Sequence, residues 1–183
     1  PLETIELLPE ILKNNPTLRG LNVTIPYKEA VIPFLDEFGA GIAALGAVNV
    51  IDISEGKLIG HNTDIAGFEG SLRNFLGTER PESALVLGTG GASKAVQFVL
   101  STMQIPFHVV SRTRESDLHY DQLTRDIMLT HRLIVNTTPL GMSPDTETCP
   151  KIPYEWISER HLLFDLVYNP RSEERRVGKE CLR

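Results

Sequence analysis

The stretch Gly20-Leu21-Asn22-Val23-Thr24-Ile25-Pro26-Tyr27-Lys28 sets an amide, a hydroxyl and one lysine where an apolar run meets a proline. Proline suits the first turn of a helix, so the pattern predicts a helix opening at Lys28. A cation there gains nothing from the macrodipole and loses about 0.3–1 kcal/mol. The same field favours release of its proton, which suits general acid–base work. Exposure is the default for lysine, so a solvated surface lysine is the alternative. Two further polar groups join the list. Asn49 lies in Gly46-Ala47-Val48-Asn49-Val50, and Asp64 lies in His61-Asn62-Thr63-Asp64-Ile65-Ala66-Gly67. An aspartate after Asn-Thr is an ordinary N-cap, and a polar residue in a strand is ordinary at an edge or turn.

A second group of residues suits phosphate binding. Gly88-Thr89-Gly90-Gly91-Ala92-Ser93 follows the apolar run Ala84–Leu87 and opens an apolar-periodic stretch. A glycine turn between strand and helix brings backbone amides to phosphate oxygens, and the helix N-terminus favours their charge. Gly88 permits the tight turn and Gly90 the close approach, while Ser93 replaces the third glycine of the dinucleotide fingerprint. The next strand ends in Ser111-Arg112-Thr113-Arg114. An acid there would accept from a ribose 2′-hydroxyl, whereas an arginine pairs with a 2′-phosphate. Ser111, Arg112 and Thr113 therefore point to NADP. The acids Glu115 and Asp117 leave NAD open, and a solvated basic turn is the bland alternative.

These groups need firm elements to hold them. Residues 4–14 place Ile5, Leu8, Ile11 and Leu12 on one helical face. Leu18–Thr24 reads as a strand and Lys28–Phe38 as a helix containing a proline. Val48–Ile53 and Lys57–Gly60 flank Ser54-Glu55-Gly56 as a hairpin. Thr63 or Asp64 caps a helix carrying Ile65, Phe68, Leu72, Phe75 and Leu76. Ala84–Leu87, a helix over Ala92–Met103, Phe107–Val110, a helix over 119–130, Leu133–Val135 and Leu162–Leu166 follow. This alternation predicts a parallel sheet with right-handed crossovers. The expected class is α/β, a Rossmann-like doubly wound sheet preceded by part of a smaller α/β domain. The expected boundary puts residues 1–65 in the first domain and 66–170 in the second.

The 183 residues are 41% hydrophobic and 23% charged, enough to bury a core. A net charge of −6 argues against a nucleic-acid partner. Cys149 and Cys181 give neither a metal spacing nor a disulfide framework, which suits a reducing cytoplasm. The five histidines are scattered, and no metal site is expected. No apolar run approaches the roughly 20 residues of a membrane span. Residues 171–183 hold five Lys/Arg and three Glu with little to pack, and read as a non-native tail.

Taken in order, the quoted segments, with Asn136-Thr137-Thr138-Pro139-Leu140-Gly141-Met142 and Asp165-Leu166-Val167-Tyr168-Asn169-Pro170, resemble the shikimate dehydrogenase family from about Leu2 to Pro170. The resemblance implies NADP-dependent reduction of 3-dehydroshikimate to shikimate in the cytoplasm, by a monomer or homodimer. It implies that Lys28 and Asp64 form the catalytic pair at the substrate hydroxyl. Thr24, Asn49 and Asp64 would meet the ring hydroxyls, with Asn22 near them, and Tyr168 would reach substrate or cofactor, or else be a core tyrosine with a wet hydroxyl. Gly88, Thr89, Gly90, Gly91 and Ala92 would hold phosphates, with Ser111, Arg112 and Thr113 at the 2′-phosphate. Asn136 and Thr137 either touch the cofactor or only form the turn before Pro139. The loop with Met142 would lie near the nicotinamide. Family members carry a further strand and helix before this stretch and further helices after it. The 183-residue chain alone is therefore expected to fold poorly or bind substrate weakly. Competing readings are a quinate/shikimate dehydrogenase using NAD and a non-catalytic nucleotide-binding module.

Overall fold

The computed structural model describes residues 2–39, 41–113 and 116–169. The chain divides into two compact units, Pro1–Glu69 and Gly70–Arg183. The tail read over residues 171–183 lies outside the described residues.

The first unit opens with a 3-10 turn, Ile5–Leu7, running into α1 (Leu8–Asn14), with Pro9 in its first turn. Its sheet comprises β1 (Gly20–Asn22), β2 (Glu37–Phe38), β3 (Val50–Ser54) and β4 (Lys57–His61) in the order β1-β3-β4-β2. β1 and β3 pair antiparallel, as do β3 and β4, whereas β2 runs parallel to β4. Glu55 and Gly56 join β3 to β4, both with positive φ, 52° and 77°. That is the twist-matched form of a two-residue hairpin turn. A short α2 (Ile42–Leu45) ends at Gly46, whose φ of 64° is easy for glycine. Leu8, Val31, Ile42, Leu45, Ala47, Val48 and Ile51 are buried in this unit.

The expected helix over Lys28–Phe38 does not form. Residues 28–31 make a turn, Ile32–Phe34 is 3-10, and the chain then extends into β2. Pro33 is the cause: inside a helix its ring would clash one turn back, and it offers no N–H. No macrodipole therefore acts on Lys28.

α3 (Thr63–Leu76) carries the chain from one unit into the next. In the second unit β5 (Ala84–Leu87) is followed by α4 (Gly91–Thr102), β6 (Phe107–Ser111), β7 (Leu118–His119), α5 (Arg125–Thr130), β8 (Leu133–Asn136) and β9 (Leu162–Asp165). These strands form one parallel sheet in the order β7-β6-β5-β8-β9. Every residue of β5 is buried, so both faces of the central strand are covered. Leu85, Leu87, Val110 and Ile134 pack with Met128 of α5 and with Leu123 and Ile152 on one side. The expected helix over 119–130 is only its second half. Leu118–His119 extends β6's edge instead, and Thr124 caps α5 by accepting from the Ile127 N–H at 3.4 Å.

Strand order reverses at β5, where β6 leads one way and β8 the other. In an open parallel sheet with the usual right-handed crossovers, such a reversal puts the two connections on opposite faces and leaves a crevice at the strands' carboxyl ends.

Candidate active site

In the first unit, three distant segments converge on Asp64. Lys28 Nζ donates to Asp64 Oδ2 at 2.7 Å across 36 positions of sequence. Asn49 Nδ2 donates to Asp64 Oδ1 at 2.9 Å and to Thr63 Oγ1 at 3.0 Å. Asn49 Oδ1 accepts from the Thr63 N–H at 2.9 Å. Both carboxylate oxygens are thus aligned by separate donors. The Lys28 backbone is fixed as well, because its carbonyl accepts from the Val48 N–H at 2.8 Å. The Asn49 backbone ties the residue after β1 to the end of β4: its N–H donates to the His61 carbonyl at 3.0 Å and its carbonyl accepts from the Val23 N–H at 2.8 Å.

The N-cap of α3 is neither Thr63 nor Asp64. Asn62 Oδ1 accepts from the Asp64 N–H at 3.0 Å, so Asn62 caps the helix. With Asn62 as the cap, the Asp64 carboxylate is free of capping and open to other partners. The side chains of Lys28 and Asp64 are 21% and 40% exposed. An ion pair so accessible adds only about 0–1 kcal/mol to stability, so stability alone does not account for it. A substrate can reach both groups. Thr24 is exposed in the turn before Lys28, and its carbonyl accepts from Tyr27 at 2.8 Å. Asn22 is exposed at the end of β1, opposite Val50.

The glycine turn of the second unit has the form the sequence predicts. Gly88 has φ of 110°, and a Cβ there would stand 2.9 Å from Thr137 Oγ1. Only glycine fits. Ser93 is fully buried, and its hydroxyl donates to the Gly88 carbonyl at 2.7 Å, closing the turn from inside the helix. Gly90 is different. It sits at the N-cap of α4 with φ of −75°, no side chain caps the helix, and a Cβ would meet nothing within 4 Å. Nothing within the chain demands glycine there, so the open space beside Gly90 suits an incoming phosphate, with Gly91 and Ala92 half-buried in the first turn of α4 behind it. Thr89 is exposed on the same turn.

Ser111 ends β6, and its hydroxyl lies 3.2 Å from Thr113 Oγ1. Arg112 between them is exposed. Asp117 accepts from the Val109 N–H at 2.7 Å and is committed to the backbone, and Glu115 lies outside the described residues. Burial pushes the Tyr120 phenol up, and the nearby Arg112 charge partly opposes that. On the other side of β5, Asn136 is buried, donates to Asp165 Oδ1 at 3.1 Å and accepts from Thr138. Thr137 donates its hydroxyl to the Leu87 carbonyl at 2.6 Å. Asn136 and Thr137 thus brace the loop edge by hydrogen bonds of their own. Met142 is half-buried in that loop. Tyr168 is 81% exposed, which excludes a core role. Asn62 carries no signal in the sequence that sets it apart from Thr63 and Asp64 as a cap, because its second partner, the Ala47 carbonyl, lies 15 positions away.

Among the described residues, no cluster of His, Cys, Asp and Glu could hold a metal ion, and no helix is long and apolar enough to cross a membrane.

The sheet order, the glycine turn at its switch point and the Lys28–Asn49–Asp64 cluster define a Rossmann-like α/β protein with a separate polar site on its first unit. Residues 2–51 match the family described as the shikimate dehydrogenase substrate binding domain. A shikimate dehydrogenase (NADP(+)) of Syntrophomonas wolfei is 40% identical over 188 residues, covering 89% of this chain and 63% of the relative. A solved shikimate 5-dehydrogenase of Thermus thermophilus, in complex with NADP(H) and shikimate, is 34% identical with a TM-score of 0.75, covering 91% of this chain and 66% of that one. Shikimate dehydrogenase 1 of Peptoclostridium difficile is 30% identical with a TM-score of 0.74, covering 95% and 67%. The chain belongs to the shikimate dehydrogenase family. It spans 60–63% of the length of the first two curated relatives it matches.

Proposed function

We propose that the protein interconverts 3-dehydroshikimate and shikimate with NADP, and that Lys28 and Asp64 transfer the proton. The observation that carries this reading is the double anchoring of the Asp64 carboxylate by Lys28 and Asn49 while helix capping falls to Asn62. The Thermus relative, crystallised with NADP(H) and shikimate, supports the choice of ligands.

NADP, when bound, supplies or accepts the hydride. The chain's own residues do the rest. Gly90, Gly91 and Ala92 offer amides to the pyrophosphate, and Arg112 with Ser111 and Thr113 takes the 2′-phosphate. Asn136, Thr137 and Met142 shape the nicotinamide end. Thr24, Asn49 and Asp64 hold ring hydroxyls, with Asn22 and Tyr168 at the margin. Lys28 exchanges a proton with the reacting oxygen, and Asp64 keeps the ammonium aimed at it. Substrate binding is assigned to residues 1–65 and cofactor binding to 66–170. The protein works in the cytoplasm as a monomer or homodimer.

The test is turnover of the protein expressed from its full gene, following reduced cofactor with shikimate or quinate and with NADP or NAD. The reading expects the shikimate and NADP pair to give the largest kcat/KM. Preference for quinate with NAD would favour a quinate enzyme. Cofactor binding without turnover of either acid would favour a nucleotide-binding module.

A further inference from the structure

Asn62 does more than cap α3. Its Oδ1 accepts from the Asp64 N–H at 3.0 Å, and its Nδ2 donates to the Ala47 carbonyl at 3.0 Å. One partner is an N–H and the other a C=O, so the amide has a single workable orientation. Capping alone needs only the oxygen, and serine or aspartate would serve as well. An amide is required only if the second bond matters.

That second bond reaches an informative place. Ala47 is fully buried and begins the run Ala47-Val48-Asn49. Val48 holds the backbone of Lys28, and the Asn49 side chain holds Asp64. This short run therefore references both members of the pair, and Asn62 ties the first turn of α3 to it. Asn49 also bridges the two, but its side chain is assigned to substrate and must exchange partners when substrate binds. The Asn62 tether has no such second duty.

We propose that Asn62 is a positioning residue, whose amide tether to Ala47 sets the Lys28–Asp64 geometry. The inference rests on the proton-transfer reading of that pair. The test compares N62A, which loses cap and tether, with N62S, which keeps the cap and loses the tether. N62A should lower both the melting temperature and kcat. N62S should restore the melting temperature while kcat stays roughly ten- to hundredfold down, with KM for shikimate near the wild-type value. Recovery of kcat in N62S would overturn the proposal. The 15N signal of the Lys28 ammonium gives a second readout. Contact with Asp64 sets the position of that signal, which should move toward that of a free lysine in N62S; an unchanged signal would also overturn the tether. Wild-type protein without turnover would sink the functional reading, and the ammonium signal would still decide the role of Asn62.

Discussion

Asn49 donates to the Asp64 oxygen that Lys28 does not occupy, 2.9 Å from Oδ1 while the ammonium lies 2.7 Å from Oδ2. The carboxylate therefore cannot rotate without losing a partner. Replacing Asn49 by alanine should lower kcat/KM for shikimate by roughly ten- to hundredfold, through lost aim and a lost substrate bond. Initial rates across substrate concentration measure this, and an unchanged kcat/KM would place Asn49 outside the site.

Gly88 and Gly90 should respond differently to the same added methyl group. G88A forces a Cβ to within 2.9 Å of Thr137 Oγ1 at a φ of 110°, and should destabilise the protein by about 1–3 kcal/mol. G90A meets nothing in the chain and should leave stability within about 0.5 kcal/mol. It should nevertheless weaken NADP binding, because the methyl group takes phosphate space. Denaturant melts and cofactor titrations together check both halves. Unchanged NADP affinity in G90A would remove the turn from the cofactor site.

Arg112 stands between two hydroxyl side chains and is exposed. A charge-assisted bond to a 2′-phosphate is worth about 1.5–3 kcal/mol. R112A should therefore raise KM for NADP by roughly ten- to a hundredfold and barely change KM for NAD. Equal effects on both cofactors would mean that Arg112 does not read the 2′-phosphate.

His131 predicts a pH effect on stability. The residue is 8% exposed, with His108 Nδ1 2.8 Å from its Nε2 and the Ile127 carbonyl 2.7 Å from its Nδ1. Burial pushes the imidazole below its ordinary 6.5; the Ile127 carbonyl opposes this and His108 reinforces it. The unfolded chain thus takes up the proton at a higher pH than the folded one. Stability from this group is fully present above the ordinary value and is lost as pH falls through the folded value. Urea melts at about pH 7.5 and about pH 5.5 should show a steeper acid loss in wild type than in H131Q. Equal slopes would show that His131 does not carry the effect.

The legible parts of this protein were the locally coded ones. The turn from Leu87 through Ser93 is specified by neighbours in sequence, so strand, glycines and helix could be read together. Lys28 was legible as a candidate but not in its setting, because Pro33 breaks the helix that hydropathy alone suggests. The cap of α3 was ambiguous for a different reason. Asn62, Thr63 and Asp64 are three consecutive residues able to cap, and only Ala47, Asn49 and Lys28 decide which one does. Likewise, nothing local in the sequence of Ser93 announces that its hydroxyl closes the Gly88 turn.

The most direct measurement is turnover and NADP affinity of K28A beside wild type, in the protein expressed from its full gene. Loss of the ammonium should cut shikimate oxidation by roughly 10²–10⁴-fold, the scale of a missing general acid–base group, with NADP affinity unchanged. Turnover equal to wild type would contradict the assignment of the proton to Lys28.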